Sequence, residues 1–514
     1  MTAPATVPAP PSAVALIRAG EPEAGAWRFR LTEDEWRDLA LALRHDPLPF
    51  VGLWADGQDV HALFLEAGEW PLVASIAPSQ GRYLALSPVR PAAALPERCV
   101  QDLWGFAAME ARDTGPWLDH GLWTATWPLS ARPGPVSWPP EPPDFAATRV
   151  PSGRTVLGAG PADGAHHAPA HLRLALGSGP ASSGRIGAAE WRLGYAHRGV
   201  AARMRGLDGP AACRLAGRVA AGASVAHQSA FCRALEVATR TEIGPDTHDG
   251  RVMLAELERI ATALHDVART VRAAGGAAPA AECERLRETL LDLYGRLFGH
   301  RLLMDLVHPQ GIGPEDAATL AAVARRAAEQ VESGLPAIRR ALSWPGLAAR
   351  MQGRGVMTEQ AARALGIGGP AGRASGREDD LRRLAHLVPG YRRDWLDSGV
   401  RRAGDVAARV DLRLAEIAGS ARILHAAARD FSPGAQPPGT PQRHDGEGVG
   451  CAEGPRGAVW YWLRVAGGTI LHAAIRDPAL AQVAALDHVL PGADPDDAAM
   501  IVRSFGLSAA GADQ

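Results

Sequence analysis

Apolar residues recur at helical spacing through much of the second half of the chain. Met253/Leu254, Leu257, Ile260/Ala261, Leu264, Val267/Ala268 and Val271 fall on one face of a helix. The same period runs through 286–307, 317–342 and 405–428. Such segments, with no strand pattern between them, predict helices that bury their stripes against one another in a bundle. The first quarter reads differently. Thr32-Glu33-Asp34-Glu35 is a capping-box pattern, and Trp36, Leu39, Ala40 and Leu43 follow at helical spacing. Apolar runs at 50–54 and 60–65 flank Ala55-Asp56-Gly57-Gln58, a hairpin signal. Runs at 71–76 and 83–86 can add strands, and 97–104 reads as a further helix.

Breaks in these patterns divide the chain. Residues 131–144 (ARPGPVSWPPEPPD) are proline-rich and lack periodicity, which places a linker at 131–157. The expectation is α+β: a small N-terminal α+β domain at 27–130, then a mainly helical domain with minor β-segments at 158–514. Residues 1–26 read as a disordered lead-in. Breaks fall at 274–280 and 432–450, the second ahead of a β-containing segment at 458–475. No internal repeat is present.

Composition narrows the class. A chain of 514 residues exceeds one ordinary core. Its 46% hydrophobic and 21% charged content is that of a globular protein. The net charge of -2 gives no general pull toward nucleic acid or anionic lipid. All 54 basic residues are arginine, which reads as compositional bias rather than as function. Cys99, Cys213, Cys232, Cys283 and Cys451 form no C-x-x-C pair and match no zinc or iron–sulfur spacing. An odd, scattered set fits a reducing compartment. The N-terminus lacks the basic and apolar regions of a secretory signal. No apolar run reaches the length of a membrane span, so a membrane role implies partners that hold the chain there.

One stretch, 190–236, stands apart. It opens on Gly194-Tyr195-Ala196-His197-Arg198-Gly199 and runs through small residues from Arg218 to His227 into a predicted helix. Small residues let a backbone or a cofactor approach closely.

From about Gly158 onward the chain resembles the large subunit of membrane-bound nickel–iron hydrogenases of the formate-hydrogenlyase type. It is equally similar in layout to the quinone-site subunit of respiratory complex I. The matching pieces are Gly160-Pro161, Pro169-Ala170-His171-Leu172-Arg173-Leu174, LGYAHRG from Leu193 and RVAAGASVAH from Arg218. Further on come Glu256-Leu257-Glu258-Arg259-Ile260, Gly299-His300-Arg301, GPAGRASG from Gly369 and GDVAARVDLR from Gly404. Glu453-Gly454-Pro455-Arg456-Gly457 and Arg503-Ser504-Phe505-Gly506-Leu507-Ser508 complete the series. Residues 27–128 resemble the small peripheral-arm subunit of complex I, through Glu97-Arg98-Cys99-Val100-Gln101-Asp102-Leu103-Trp104-Gly105. Fusion of the two parts in this order resembles the hydrogenlyase branch. Each motif is weak alone; their shared order carries the resemblance.

The resemblance implies a metal site whose ligands are missing. A nickel–iron centre is held by four thiolates. The family supplies them in R-V/I-C-G-x-C-x-x-x-H, which falls on 218–227, and in D-P-C-x-x-C-x-D-R, which falls on 506–514. The cysteine positions are Ala220 and Ala223, then Ser508 and Gly511. The resemblance therefore implies no metal on this chain and no hydrogen chemistry. In the complex I relatives a Tyr and a His meet the quinone headgroup. The Tyr position falls at Ala221 and the His position at Asp163, with His166 and His167 near enough to substitute. The quinone pair is not intact, although quinone is a ligand that an altered pocket could still take.

The remaining polar residues carry two readings each. His227 is a survivor beside a lost metal site, or a core or capping histidine. Tyr195, His197 and Arg198 line a cavity, or satisfy backbone groups at a turn. His166, His167 and His171 suit a loop better than a metal, with no carboxylate cluster beside them. Glu258-Arg259 reads as an ion pair rather than a catalytic acid, and Cys232 as core packing. Ser508 has no base nearby in sequence, so no catalytic residue is assigned. The resemblance implies partners: an iron–sulfur small subunit carrying the clusters, and membrane-arm subunits. Contact with NAD would come only through them, and the location implied is the inner face of the cytoplasmic membrane. The functional expectation is a peripheral-arm subunit of a membrane-bound oxidoreductase complex. A structural or assembly module without redox function, and an enzyme with an unfamiliar substrate, are the alternatives.

Overall fold

The computed structural model describes residues 11–23, 25–135, 156–161, 169–177, 184–195, 197–309, 311–313, 317–397, 399–431 and 444–513. It divides into two compact units, Met1–Pro142 and Pro143–Gln514.

The first unit is a five-stranded sheet with helices. In chain order it holds α1 (Ala13–Ala19), β1 (Glu21–Pro22), β2 (Arg28–Leu31), α2 (Glu33–Ala42), β3 (Phe50–Ala55), β4 (Val60–Glu66) and β5 (Trp70–Ile76). Next come β6 (Arg82–Leu84), α3 (Ala94–Trp104) and β7 (Ala107–Met109). The sheet order is β1-β2-β5-β4-β3, with β2 and β5 parallel and the other pairs antiparallel. The capping box forms at Thr32 and Glu35, and Trp36 is fully buried with its indole N–H donating to Leu84 O at 2.9 Å. The β3–β4 turn is closed by Asp56, whose Oδ1 accepts from Gln58 N and Asp59 N. The expected disordered lead-in at 1–26 is corrected for the described part. Ser12 caps α1, and Ala13 and Ile17 are fully buried in the core of the unit. The reason is the apolar pair at four-residue spacing, which needs a core to cover it.

The α3 signature is structural. Buried Glu97 accepts from Leu86 N and Ser87 N, and Asp102 from Trp117 N and Leu118 N. Arg98 donates to Gly115 O and Pro116 O. Three charged side chains of one helix thus terminate the backbone of two neighbouring loops.

The second unit begins with β8 (Val156–Ala159), β9 (His171–Leu176) and β10 (Ile186–Arg192), an antiparallel sheet in the order β10-β9-β8. Strand β8 starts inside the expected linker at 131–157; residues 136–155 lie outside the described residues. Helices follow: α4 (Val200–Arg203), α5 (Gly209–Ala216), α6 (Ser224–Thr239), α7 (Pro245–Ala273) and α8 (Ala277–Phe298). Gly299, at φ +75, ends α8, so the helical period expected through 307 stops there. The short pair β11 (Val307–His308) and β12 (Gly311–Ile312) precedes α9 (Ala317–Leu342), α10 (Pro345–Met351), α11 (Glu359–Ala364), α12 (Gly369–Ala374) and α13 (Val406–Asp430). Helix α7 packs against α8 and α13, and α13 against α9, which makes the expected bundle.

The C-terminal part holds the β13 (Gly446–Gly454), β14 (Gly457–Ala466), β15 (Thr469–Arg476) meander, then α14 (Ala479–Val489), α15 (Pro495–Phe505) and α16 (Ala509–Asp513). The break expected at 432–450 is corrected at its end, because β13 already begins at Gly446; 432–443 lie outside the described residues. This sheet is not a minor appendage, since α6 lies directly on it. Gly446, Gly448 and Gly450 occupy one face of β13 at period two. A Cβ on any of them would collide with α6 backbone at Ala238, Ala234 and Ala230. Three glycines on a strand face three alanines spaced four apart, and backbone meets backbone.

Candidate functional site

Helix α6 starts the site. Its N-cap position is Ala223, which offers no capping side chain. Glu258 of α7 does the capping from outside, with its carboxylate accepting from Val225 N at 2.8 Å and Ala226 N at 3.0 Å. The expected Glu258–Arg259 ion pair is therefore corrected. Arg259 pairs with Glu256 and donates to Glu453 O and Gly454 O.

The 218–223 loop ahead of α6 is tied down on every side. Arg198 donates to Arg218 O and Val219 O at 2.6 Å each, and to Ala510 O at 3.2 Å. Arg456 donates to Ala221 O and holds Asp266 in a two-point pair at 3.0 and 2.8 Å. Thr262 donates to Gly222 O, and Gly222 at φ +75 supplies the left-handed turn. His227, fully buried, sits between Tyr461 OH at 3.0 Å and Asp477 Oδ2 at 2.9 Å. It is a core histidine held from β14 and from the residue that follows β15.

Segments far apart in the chain converge here. Ala220, Ala223 and Ser508 line one cavity together with Asp477, Gln482 and Arg456, and its volume is about 10 Å3. That is space for about one water molecule. Gly511 stands against the same carboxylate: a Cβ there would collide with Asp477 Oδ1. Among the described residues, no cysteine or histidine lines this cavity and none form a cluster of metal-ligating side chains. Methyl groups, one hydroxyl and a hydrogen do not fit a soft metal that requires thiolates.

A second, larger cavity of about 150 Å3 opens beneath Ala221 and Gly222. Glu258, Thr262, His265, Arg287, Tyr294 and Arg456 line it. Burial raises the Glu258 carboxyl to about 7, against its two backbone donors and the charges of Arg259 and Arg456. Burial lowers His265 to about 4, so it is neutral at pH 7. Burial would raise Asp266 as well, but Arg456 outweighs it and holds that carboxylate well below the usual range. Glu256 is held at about 2: burial opposes ionisation, yet Arg259, Arg382, Ser420 and Tyr391 all favour the charged form.

The other residues expected at the pocket scatter. His197 Nδ1 lies 2.6 Å from Asp513 O, and Gly194 N donates to Asp513 Oδ1, so this turn is pinned to the C-terminal segment. Tyr195 is 43% exposed. His171 lies on β9, its basicity lowered by burial and by Arg173 and Arg192. Asp163, His166 and His167 lie outside the described residues. None of the described candidates lines the 150 Å3 cavity. Cys232 is fully buried, its sulfur 3.5 Å from that of Cys213. Asp266, His265, Tyr461 and Asp477 belong to no motif of the sequence. One signal was available: Glu256, Arg259, Asp266 and Thr270 form a polar stripe along α7 beside the apolar one, and all four are buried.

The family model for the respiratory-chain NADH dehydrogenase, 49 Kd subunit, matches residues 274–442. The chain is similar to the D subunits of NADH-quinone oxidoreductases. It is 27% identical over 359 residues to one such D subunit from Streptomyces coelicolor, covering 68% of this chain and 92% of that one. It is 26% identical over 324 residues to the carbon monoxide-induced hydrogenase of Rhodospirillum rubrum, covering 61% and 87%. Among solved structures it shares its fold with a chain of the membrane-bound sulfane sulfur reductase, an archaeal respiratory membrane complex. There the TM-score is 0.63 at 20% identity, over 71% of this chain and 100% of that one. Among the described residues no helix is long and apolar enough to cross a membrane.

Proposed function

We propose that the chain is a peripheral-arm subunit of a membrane-bound oxidoreductase complex related to NADH-quinone oxidoreductase and formate hydrogenlyase. It has no nickel–iron centre of its own, and its quinone-type pocket is altered. The observation that carries this reading is the 10 Å3 cavity where Ala220, Ala223 and Ser508 meet beside Asp477 and Gly511. The four positions where the hydrogenase resemblance puts thiolates come together, and none bears sulfur. At Ala221, where the complex I resemblance puts the headgroup tyrosine, a methyl group borders the 150 Å3 cavity instead. Iron–sulfur clusters belong on a partner subunit, NAD on a more distant one, and the membrane is reached through membrane-arm subunits.

A second reading, a structural or assembly module without redox function, draws on the internal pairing around the site. Arg198, Arg456 and His227 each spend their polar atoms on the protein itself. Affinity isolation of the tagged chain from its native membranes, with subunits identified by mass spectrometry, tests the first reading. Recovery with an iron–sulfur subunit and membrane-arm proteins supports it; a chain recovered alone from the soluble fraction contradicts it. In an isolated complex, substitutions at His265 and Arg287 that lower electron transfer favour the pocket. Unchanged turnover favours the structural module.

A further inference from the structure

A cleft of about 390 Å3 lies at the C-terminal end of α6, between that helix, β13 and the 386–389 segment. Among the described residues it shares no lining residue with the two cavities above. Its volume falls within the roughly 300–1,000 Å3 range of small-molecule sites. Arg233, Arg240, His248 and His386 line its polar side, and Ile243, Leu387, Pro389 and Val449 its apolar wall.

Arg233 is the unusual member. It is only 7% exposed, and no carboxylate among the described residues pairs with it. Its Nη1 donates to Cys451 O at 2.7 Å, while its Nε is buried without a partner. Glu236 attracts it without touching it, because both carboxylate oxygens are taken by Arg251 at 3.0 and 2.5 Å, so two guanidiniums share one carboxylate. His248 Nδ1 is likewise buried and unpartnered. Burial first, then Arg251 and Arg233, lower His248 to about 4, so the imidazole is neutral at pH 7 and adds hydrogen-bonding capacity without charge. Exposed Glu242 lies at the rim, where water screens it. Two buried guanidiniums on one carboxylate leave a positive charge over, which is costly unless something anionic completes it.

We propose that this cleft binds a small organic anion, a carboxylate or phosphate on an apolar body. Arg233 and His248 take the anionic group, and Leu387, Pro389 and Val449 cover the body. The site is independent of the reading of the chain as a respiratory subunit.

Titration calorimetry of the full chain with benzoate, phenyl phosphate and neutral benzyl alcohol tests it. At least one anion binds, and benzyl alcohol binds at least about tenfold more weakly. Arg233→Met weakens the anion by about tenfold or more, and its melting temperature without ligand equals or exceeds that of the parent chain. Should Arg233→Met fail to fold, Arg240→Gln, on an exposed residue, still weakens the anion and leaves benzyl alcohol unchanged. No binding of either anion, equal affinity for benzyl alcohol, or full affinity in the folded variants overturns the proposal.

Discussion

Replacing Glu258 by Gln isolates the electrostatics of the site. The carboxyl caps α6 through Val225 N and Ala226 N, and burial raises it from 4.5 to about 7. Between those values the folded chain holds a proton that the unfolded chain has released. Its contribution to stability is therefore fully present below pH 4.5 and is lost as pH rises through 7. A shift of that size corresponds to about 3 kcal/mol. Gln keeps an oxygen for one of the two backbone donors and has no proton to lose. Urea unfolding of both proteins between pH 5 and 8, followed by circular dichroism, reads the difference directly, because other titrating groups cancel. The two proteins are within about 1 kcal/mol at pH 5, and the Glu258→Gln variant gains about 3 kcal/mol on the parent by pH 8. If instead the helix N-terminus dominates, the carboxylate is the preferred form and the capping loss costs the variant about 1 kcal/mol. A variant that is less stable than the parent at pH 8, with the gap widening as pH rises, refutes the reasoning.

Three further outcomes follow from packing and pairing. His227→Ala leaves Asp477 and Tyr461 OH without their shared partner and lowers stability by about 3 kcal/mol or more; a thermal-denaturation loss under about 1 kcal/mol contradicts the arrangement. Gly450→Ala forces α6 off β13 and costs about 3 kcal/mol. Gly468→Ala, in a positive-φ turn with open space around it, costs about 1 kcal/mol, so equal losses of melting temperature contradict the close approach. Ile17→Ala removes a fully buried side chain and destabilises the first unit by about 3 kcal/mol, whereas a disordered lead-in predicts no change.

What could be read ahead of the structure was what local pattern controls. The capping box at Thr32, the turn after Ala55 and the apolar stripe of α7 are each set by residues within one or two turns of each other. Helix α1 was missed because seven residues beside a proline-rich start carry too little periodicity. Its burial is visible only once Asp46 accepts from Ala13 N. The glycines of β13 read as a loop because a strand without side chains looks like one. Their meaning lies in the alanines of α6, far away in the chain. The same holds at the site. Arg456 belongs to a motif, but its partner Asp266 lies 190 residues away on α7 and carries no local signal of the pairing. The role of Glu258 depends on a missing cap at Ala223, which a sequence shows only as one more alanine. Tyr195 and His171 sit within the motifs in the chain, yet neither lines the 150 Å3 cavity.

A chain that works within a respiratory-type complex while carrying no nickel–iron centre is distinguished by its metals. Elemental analysis of the intact complex, isolated through this chain with its partners attached, is expected to find iron, from clusters on the partner subunits, with nickel at background. One nickel per copy of the chain is incompatible with the proposed function.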